Sequence, residues 1–208
     1  MVAPTLTIHR IGINYNTERN LFIMATIRKR SVYDRYAVTE KYLYSRARAL
    51  TLRPNDLKVK LSADNQVYGA VIDMPMGASR LGTLVCLVNG TANLYFNNGD
   101  GITGEASKYR SVANASRALI ANMSQVLPIC ERVIEFDLPA ANNYYVYLLT
   151  RRGIYKTSFD PSKFNPMLLD DKTRLNRFAL FLSNKVMNEL MNSQIKDKAA
   201  ANKSAANK

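Results

Sequence analysis

Thr83-Leu84-Val85-Cys86-Leu87-Val88-Asn89-Gly90-Thr91-Ala92-Asn93-Leu94-Tyr95-Phe96 is the stretch whose reading decides the fold class. Two apolar runs, 83–88 and 91–96, meet at Asn89-Gly90. A type I′ turn needs positive φ at both central residues, and Asn-Gly tolerates it, so the runs are expected to pair as antiparallel neighbours. Residues 67–74 form another run of strand type just upstream. A glycine-rich segment, 97–104, follows the hairpin and leads toward a helix.

Outward from this hairpin the periodicity changes. Over 106–127, Val112, Ser116, Leu119, Ile120, Met123 and Leu127 fall on one helical face, and Pro128 stops the helix. Its far side, Asn114, Ala118, Ala121 and Gln125, is small and uncharged. Residues 132–138, 143–150 and 154–159 read as strands, the last two joined by Arg151-Arg152-Gly153, with Gly153 supplying a left-handed position. A last helix over 172–191 follows Pro166 and the Asp170-Asp171 pair, whose charge suits a helix N-terminus. Toward the other end, 5–13 and 21–27 read as a hairpin. A helix over 31–50 follows, with Val32, Tyr36, Leu43, Ala47 and Leu50 in one stripe, Ser31 and Asp34 as a capping signal, and Lys41 and Arg48 pointing away.

The expected class is α+β, an antiparallel sheet flanked by helices. A basic N-terminal hairpin and helix, 1–60, packs on a main domain, 61–195, and an Ala/Asn/Lys-rich tail, 196–208, forms a frayed helix or a tether. From residue 31 onward the order helix, strands, helix, three strands, helix resembles the roadblock and longin-like architecture. The resemblance rests on the hairpin 83–96, the helix 106–127, the strands 132–159 and the helix 172–191. An N-terminal hairpin and a strand near Val67 are additions to it. The resemblance implies non-catalytic work as a dimeric scaffold or regulator.

Charge sharpens the expectation about partners. The chain of 208 residues carries a net +13, spread unevenly. Residues 1–60 hold 12 basic and 4 acidic side chains, 61–139 hold 5 and 7, and 140–208 hold 12 and 5. Basic ends around a near-neutral middle point to an acidic partner, whether nucleic acid, anionic membrane or acidic protein. Arg28, Lys29, Arg30 and Arg35, with Arg151 and Arg152 near Tyr144, Tyr145, Tyr147 and Tyr155, combine cations with aromatic faces in the manner of phosphate-backbone sites. No run of about 18 apolar residues marks a membrane span, and Cys86 and Cys130 sit among apolar neighbours as small hydrophobes. Both features lead to the expectation of a cytoplasmic, soluble protein.

Catalytic chemistry finds little to work with. Gly99-Asp100-Gly101-Ile102-Thr103-Gly104 is a literal G-x-G-x-x-G. It follows an antiparallel hairpin, however, and no acidic residue stands about 20 positions on, so Gly99, Gly101 and Gly104 are read as a flexible connection to the next helix. The single histidine, His9, has no metal-ligand spacing around it. Glu135 and Asp137, expected on one strand face, are read as solvated or ion-paired. The expectation is therefore no catalytic residue, no metal and no cofactor.

The last helix carries a second apolar stripe, Leu180, Met187 and Met191, turned more than 90° from its core stripe of Leu175, Phe178, Ala179, Leu182, Val186 and Leu190. A helix packed by one face does not need it. Together these readings favour a non-enzymatic binding or assembly protein, a homo-oligomer or part of a larger assembly, with a basic face for an acidic partner. A sequence-nonspecific nucleic-acid binder is the alternative, and a nucleotide-binding enzyme using the glycine loop comes third.

Overall fold

A computed structural model describes residues 35–105, 108–165, 167 and 170–206, with side chains to 203. All of these belong to one compact unit, Val32–Lys208. The expected hairpin over 5–13 and 21–27, His9, Arg28, Lys29, Arg30 and the Ser31/Asp34 capping signal lie outside the described residues.

The central strands are buried on both faces, which requires two covering layers. β1 (Gly69–Pro75), β2 (Leu81–Leu87), β3 (Ala92–Phe96) and β4 (Gly101–Gly104) run as a meander. With β5 (Glu131–Val133), β6 (Tyr144–Thr150) and β7 (Gly153–Phe159) they form one seven-stranded antiparallel sheet in the order β4-β3-β2-β1-β6-β7-β5. Helices α2 (Arg110–Val126) and α3 (Asp171–Ala206) cover one face. Ala70, Ile72, Met74, Leu84, Cys86, Leu94, Val146 and Leu148 meet Leu119, Met123, Ala179, Val186 and Leu190 there. On the other face α1 (Glu40–Leu50) and the chain that follows it bury Val71, Val85, Tyr147 and Leu149. The α+β class with helices flanking an antiparallel sheet is therefore observed.

Differences from the sequence reading have local causes. At Asn89-Gly90 the turn is not type I′: Gly90 alone has positive φ (96°), Gly90 N–H donates to Leu87 O and Leu87 N–H to Thr91 O, both at 2.9 Å. The three-residue loop with glycine in its last position carries the bulge that such a hairpin uses. The same arrangement recurs nine residues on, where Gly99 (φ 88°) donates to Phe96 O and Phe96 N–H to Asp100 O. Gly101–Gly104 thus returns as the edge strand β4, paired with β3, rather than a flexible connection.

Of the helix expected over 31–50, Arg35 and Tyr36 are helical, Ala37 breaks it with positive φ (44°), and α1 starts anew at Glu40 with Thr39 as its cap, accepting from the Tyr42 amide at 3.3 Å. Its buried side chains are Tyr42, Arg46, Ala49 and Leu50, while Leu43 is half-buried and Ala47 exposed. The strand expected over 132–138 keeps only Glu131–Val133, so Glu135 and Asp137 lie in irregular chain and share no strand face. Downstream, α3 runs on to Ala206 and absorbs the described part of the tail. Asp170 caps its start, accepting from the Thr173 amide at 2.8 Å, and hydrogen bonding from Thr173, its side chain first and then its amide, holds the carboxyl below the usual aspartate range.

Candidate functional site

Between α1 and the sheet lies a buried polar cluster with every charge answered. Arg46 projects from the middle of α1 and Asp73 from the middle of β1. The guanidinium donates through Nε to both carboxylate oxygens (3.1 and 3.0 Å) and through Nη2 to Oδ2 (2.7 Å). Nη1 and Nη2 also donate to the carbonyls of Phe136 and Asp137, each at 2.9 Å. Thr83 donates its hydroxyl proton to Asp73 Oδ1 (2.7 Å), which leaves Tyr42 as the donor to Thr83 Oγ1 (2.7 Å). Burial alone would lower the guanidinium pKa, but the charge and hydrogen bonds of Asp73 raise it. Burial, then Asp73, push the Tyr42 and Tyr147 phenols upward as well. By binding the carbonyls of Phe136 and Asp137 as well as Asp73, Arg46 fastens the irregular chain after β5 to α1 and β1.

A groove opens on the outer side of the same helix. Its larger part is a cavity of about 320 Å³ lined by Tyr44, Ser45, Arg48, Leu52, Asn93 and Tyr95, with Val85 and Leu87 behind. A smaller part, sharing Ser45 and Tyr95, continues past Lys41 to Gly99, Asp100, Gly101 and Thr103. Along β3, Ala92, Leu94 and Phe96 turn into the α2/α3 core, so Asn93 and Tyr95 face the groove. Asn93 Oδ1 is closed off from solvent and has no hydrogen-bond partner. Burial raises the Tyr95 phenol, against a downward pull from Asn93 and Arg48. Lys41 lies across Gly99, where a Cβ would come within 3.1 Å of Thr39 Oγ1 and 3.5 Å of Lys41 Cδ.

Three glycines of the G-x-G-x-x-G serve three packing demands. Gly99 makes the turn, Gly101 opens β4 opposite Tyr95, and Gly104 sits where a Cβ would strike Leu190 Cδ2 at 2.5 Å and Val112 Cγ1 at 2.8 Å. Helix α2 begins only at Arg110, so the glycines do not bring its N-terminal amides to a phosphate.

The expected basic patch is placed in two parts. Arg35 adjoins Tyr36, whose carbonyl accepts from Asn97 Nδ2, at the end of the sheet where β1 finishes opposite Leu81. Arg151 and Arg152 form the β6–β7 turn at the other end, where Arg151 stands 3.7 Å from Asp64 and the Arg152 amide donates to Asp64 O. Tyrosine faces near that turn are already engaged. Tyr144 packs on Phe159, Tyr145 on Lys156 at 3.6 Å, and Tyr147 on Phe136 and Arg46.

On α3, Leu180 and Met187 are half-buried against the α2/α3 core, while Met191 is 39% exposed. Beside them Phe181 (64%) and Ile195 (65%) stand out from the helix. Sequence reasoning missed these two because it followed the Leu/Met spacing. At 100° per residue Phe181, Met191 and Ile195 lie within about 80° of one another, opposite the buried line of Leu182, Val186 and Leu190.

Both cysteines are free, and burial pushes each thiol up to about 12. Among the described residues no group of His, Cys, Asp and Glu gathers to hold a metal, and no helix is long and apolar enough to cross a membrane. Neither a family model, a curated protein nor a solved structure matches the chain.

Proposed function

We propose that the protein is a non-enzymatic assembly protein that pairs with a second copy of itself through the outer face of α3 and presents a basic surface to an acidic partner. One observation carries the reading: Phe181, Met191 and Ile195 are exposed on one helix face, with the uncharged Asn184 and Asn188 between them and Arg177 and Lys185 one turn to either side of Phe181. Leu180 and Met187 border the patch, so it extends without a break from the core to the rim. A two-fold pairing would set each copy's Phe181 toward the other's Ile195, closing the surface on itself. Apolar side chains of this size contribute about 1.5–3 kcal/mol each when fully buried.

The element order shared with the roadblock and longin-like architecture supports the same class of work, by analogy of fold. Free, high-pKa thiols support a reducing, cytoplasmic setting. The test is Phe181→Cys/Ile195→Cys in a Cys86→Ala/Cys130→Ala background, which sets each new thiol opposite its counterpart in the other copy. Oxidation is expected to yield a covalent dimer at low micromolar protein, whereas a monomer under the same treatment removes the pairing.

A further inference from the structure

We infer that the groove between α1 and the β3–β4 hairpin binds single-stranded nucleic acid, with a base on Tyr95 and Tyr44 and the backbone along Lys41 and Arg48. This rests on the reading of a basic surface facing an acidic partner, and names that partner's chemistry. It does not depend on self-association.

Aromatic faces come first. Single strands are held largely by bases stacking on exposed aromatic rings. Among the described residues, the tyrosines of β6 already have ring or cation partners, with Tyr145 beneath Lys156 and Tyr147 beneath Arg46. Tyr44 is different: it is 68% exposed, lines the cavity and, among the described residues, packs on no other ring or cation. Tyr95, half-buried, provides the floor across from it.

Cations come next. Lys41 and Arg48 are both exposed, both line the groove, and stand seven residues apart on α1. Seven residues rise about 10 Å along a helix, too far for one phosphate to bridge and suited to successive phosphates of an extended strand. Asp100 is the carboxylate in the lining, and it sits at the Lys41 end, where it accepts from Asn98 Nδ2. The strand's phosphates are therefore placed on the helix side of the groove, away from β4.

What favours nucleic acid over an acidic peptide is the pair of aromatic faces, Tyr44 and Tyr95, on which bases stack and carboxylate side chains do not. The cavity, about 320 Å³, has room for a base.

Fluorescence anisotropy of the full chain with a labelled mixed-sequence 12-nucleotide RNA, in about 50 mM salt, tests the inference. Binding at micromolar concentration or tighter is expected, with duplex of the same sequence at least tenfold weaker. Tyr44→Ala and Arg48→Gln, both at exposed positions, are each expected to weaken it about fivefold or more, and Arg151→Ala/Arg152→Ala less than twofold. Equal affinity for duplex, full displacement by a mononucleotide, or unchanged binding in both groove variants would overturn the assignment. A parallel titration with labelled poly-glutamate separates the levels. Poly-glutamate binding without RNA binding removes the nucleic-acid groove and leaves the basic-surface reading standing. Binding of neither removes both.

Discussion

Arg46 and Asp73 meet in the interior, the guanidinium against both oxygens of the carboxylate, with 2.7 Å between Nη2 and Oδ2. Asp73 is sealed from solvent and Arg46 nearly so, and each is the other's neutralising charge within the cluster. Removing one partner strands a charge in the core. Arg46→Met is therefore expected to destabilise the fold by about 3–5 kcal/mol, and adding Asp73→Leu to recover more than half of that loss. Urea unfolding of the two variants measures both. A single variant within about 1 kcal/mol of wild type would show that the pair is not closed to water.

Gly104 faces the α2/α3 pair rather than a ligand. A methyl group there would overlap Leu190, Val112 and the Ala92 carbonyl oxygen, which is backbone and has little freedom to retreat. Gly104→Ala is expected to cost about 1–3 kcal/mol. Gly101→Ala, with its nearest contacts at 3.2 Å, is expected to cost less, and calorimetry with ATP, GTP and NAD is expected to show no binding to wild type or variant. Micromolar nucleotide binding abolished by Gly101→Ala would restore the phosphate-cradle reading.

This glycine motif shows how far sequence goes here. Asn89-Gly90 announced a hairpin because one dipeptide carries the turn, whereas Gly101–Gly104 has a single large apolar residue, Ile102, too little alternation to reveal an edge strand. Arg46 was legible only as a misfit in the buried face of α1, and Asp73 as a lone charge in the apolar run of β1. Their pairing depends on where α1 crosses the sheet. The groove was invisible for the same reason. Lys41 and Arg48 could be placed on the outward side of their helix, but Asn93 and Tyr95 come from β3, and register alone turns them toward it.

Alkaline pH is expected to loosen the protein. The thiols of Cys86 and Cys130 are raised by burial to about 12, above the unfolded value of about 8.5. Between those values the folded state holds protons that the unfolded state has lost. Stability is then fully present below about pH 8.5 and falls as pH rises toward 12, by up to about 1.4 kcal/mol per pH unit for each thiol. Thermal melts from pH 8 to 11 measure the slope, and Cys86→Ala is expected to flatten it. At pH 8 neither thiol should react appreciably with iodoacetamide until the chain unfolds. Rapid alkylation of the native Cys130→Ala variant would contradict the burial of Cys86.

Self-association through α3 is tested most directly by the mass of the particle in solution. Light scattering at about 50 μM is expected to give twice the 23.4 kDa of one chain for wild type. For Phe181→Glu/Met191→Glu it is expected to give a single chain with unchanged helical circular dichroism. A wild-type monomer, or a double variant that remains a dimer, would contradict the account.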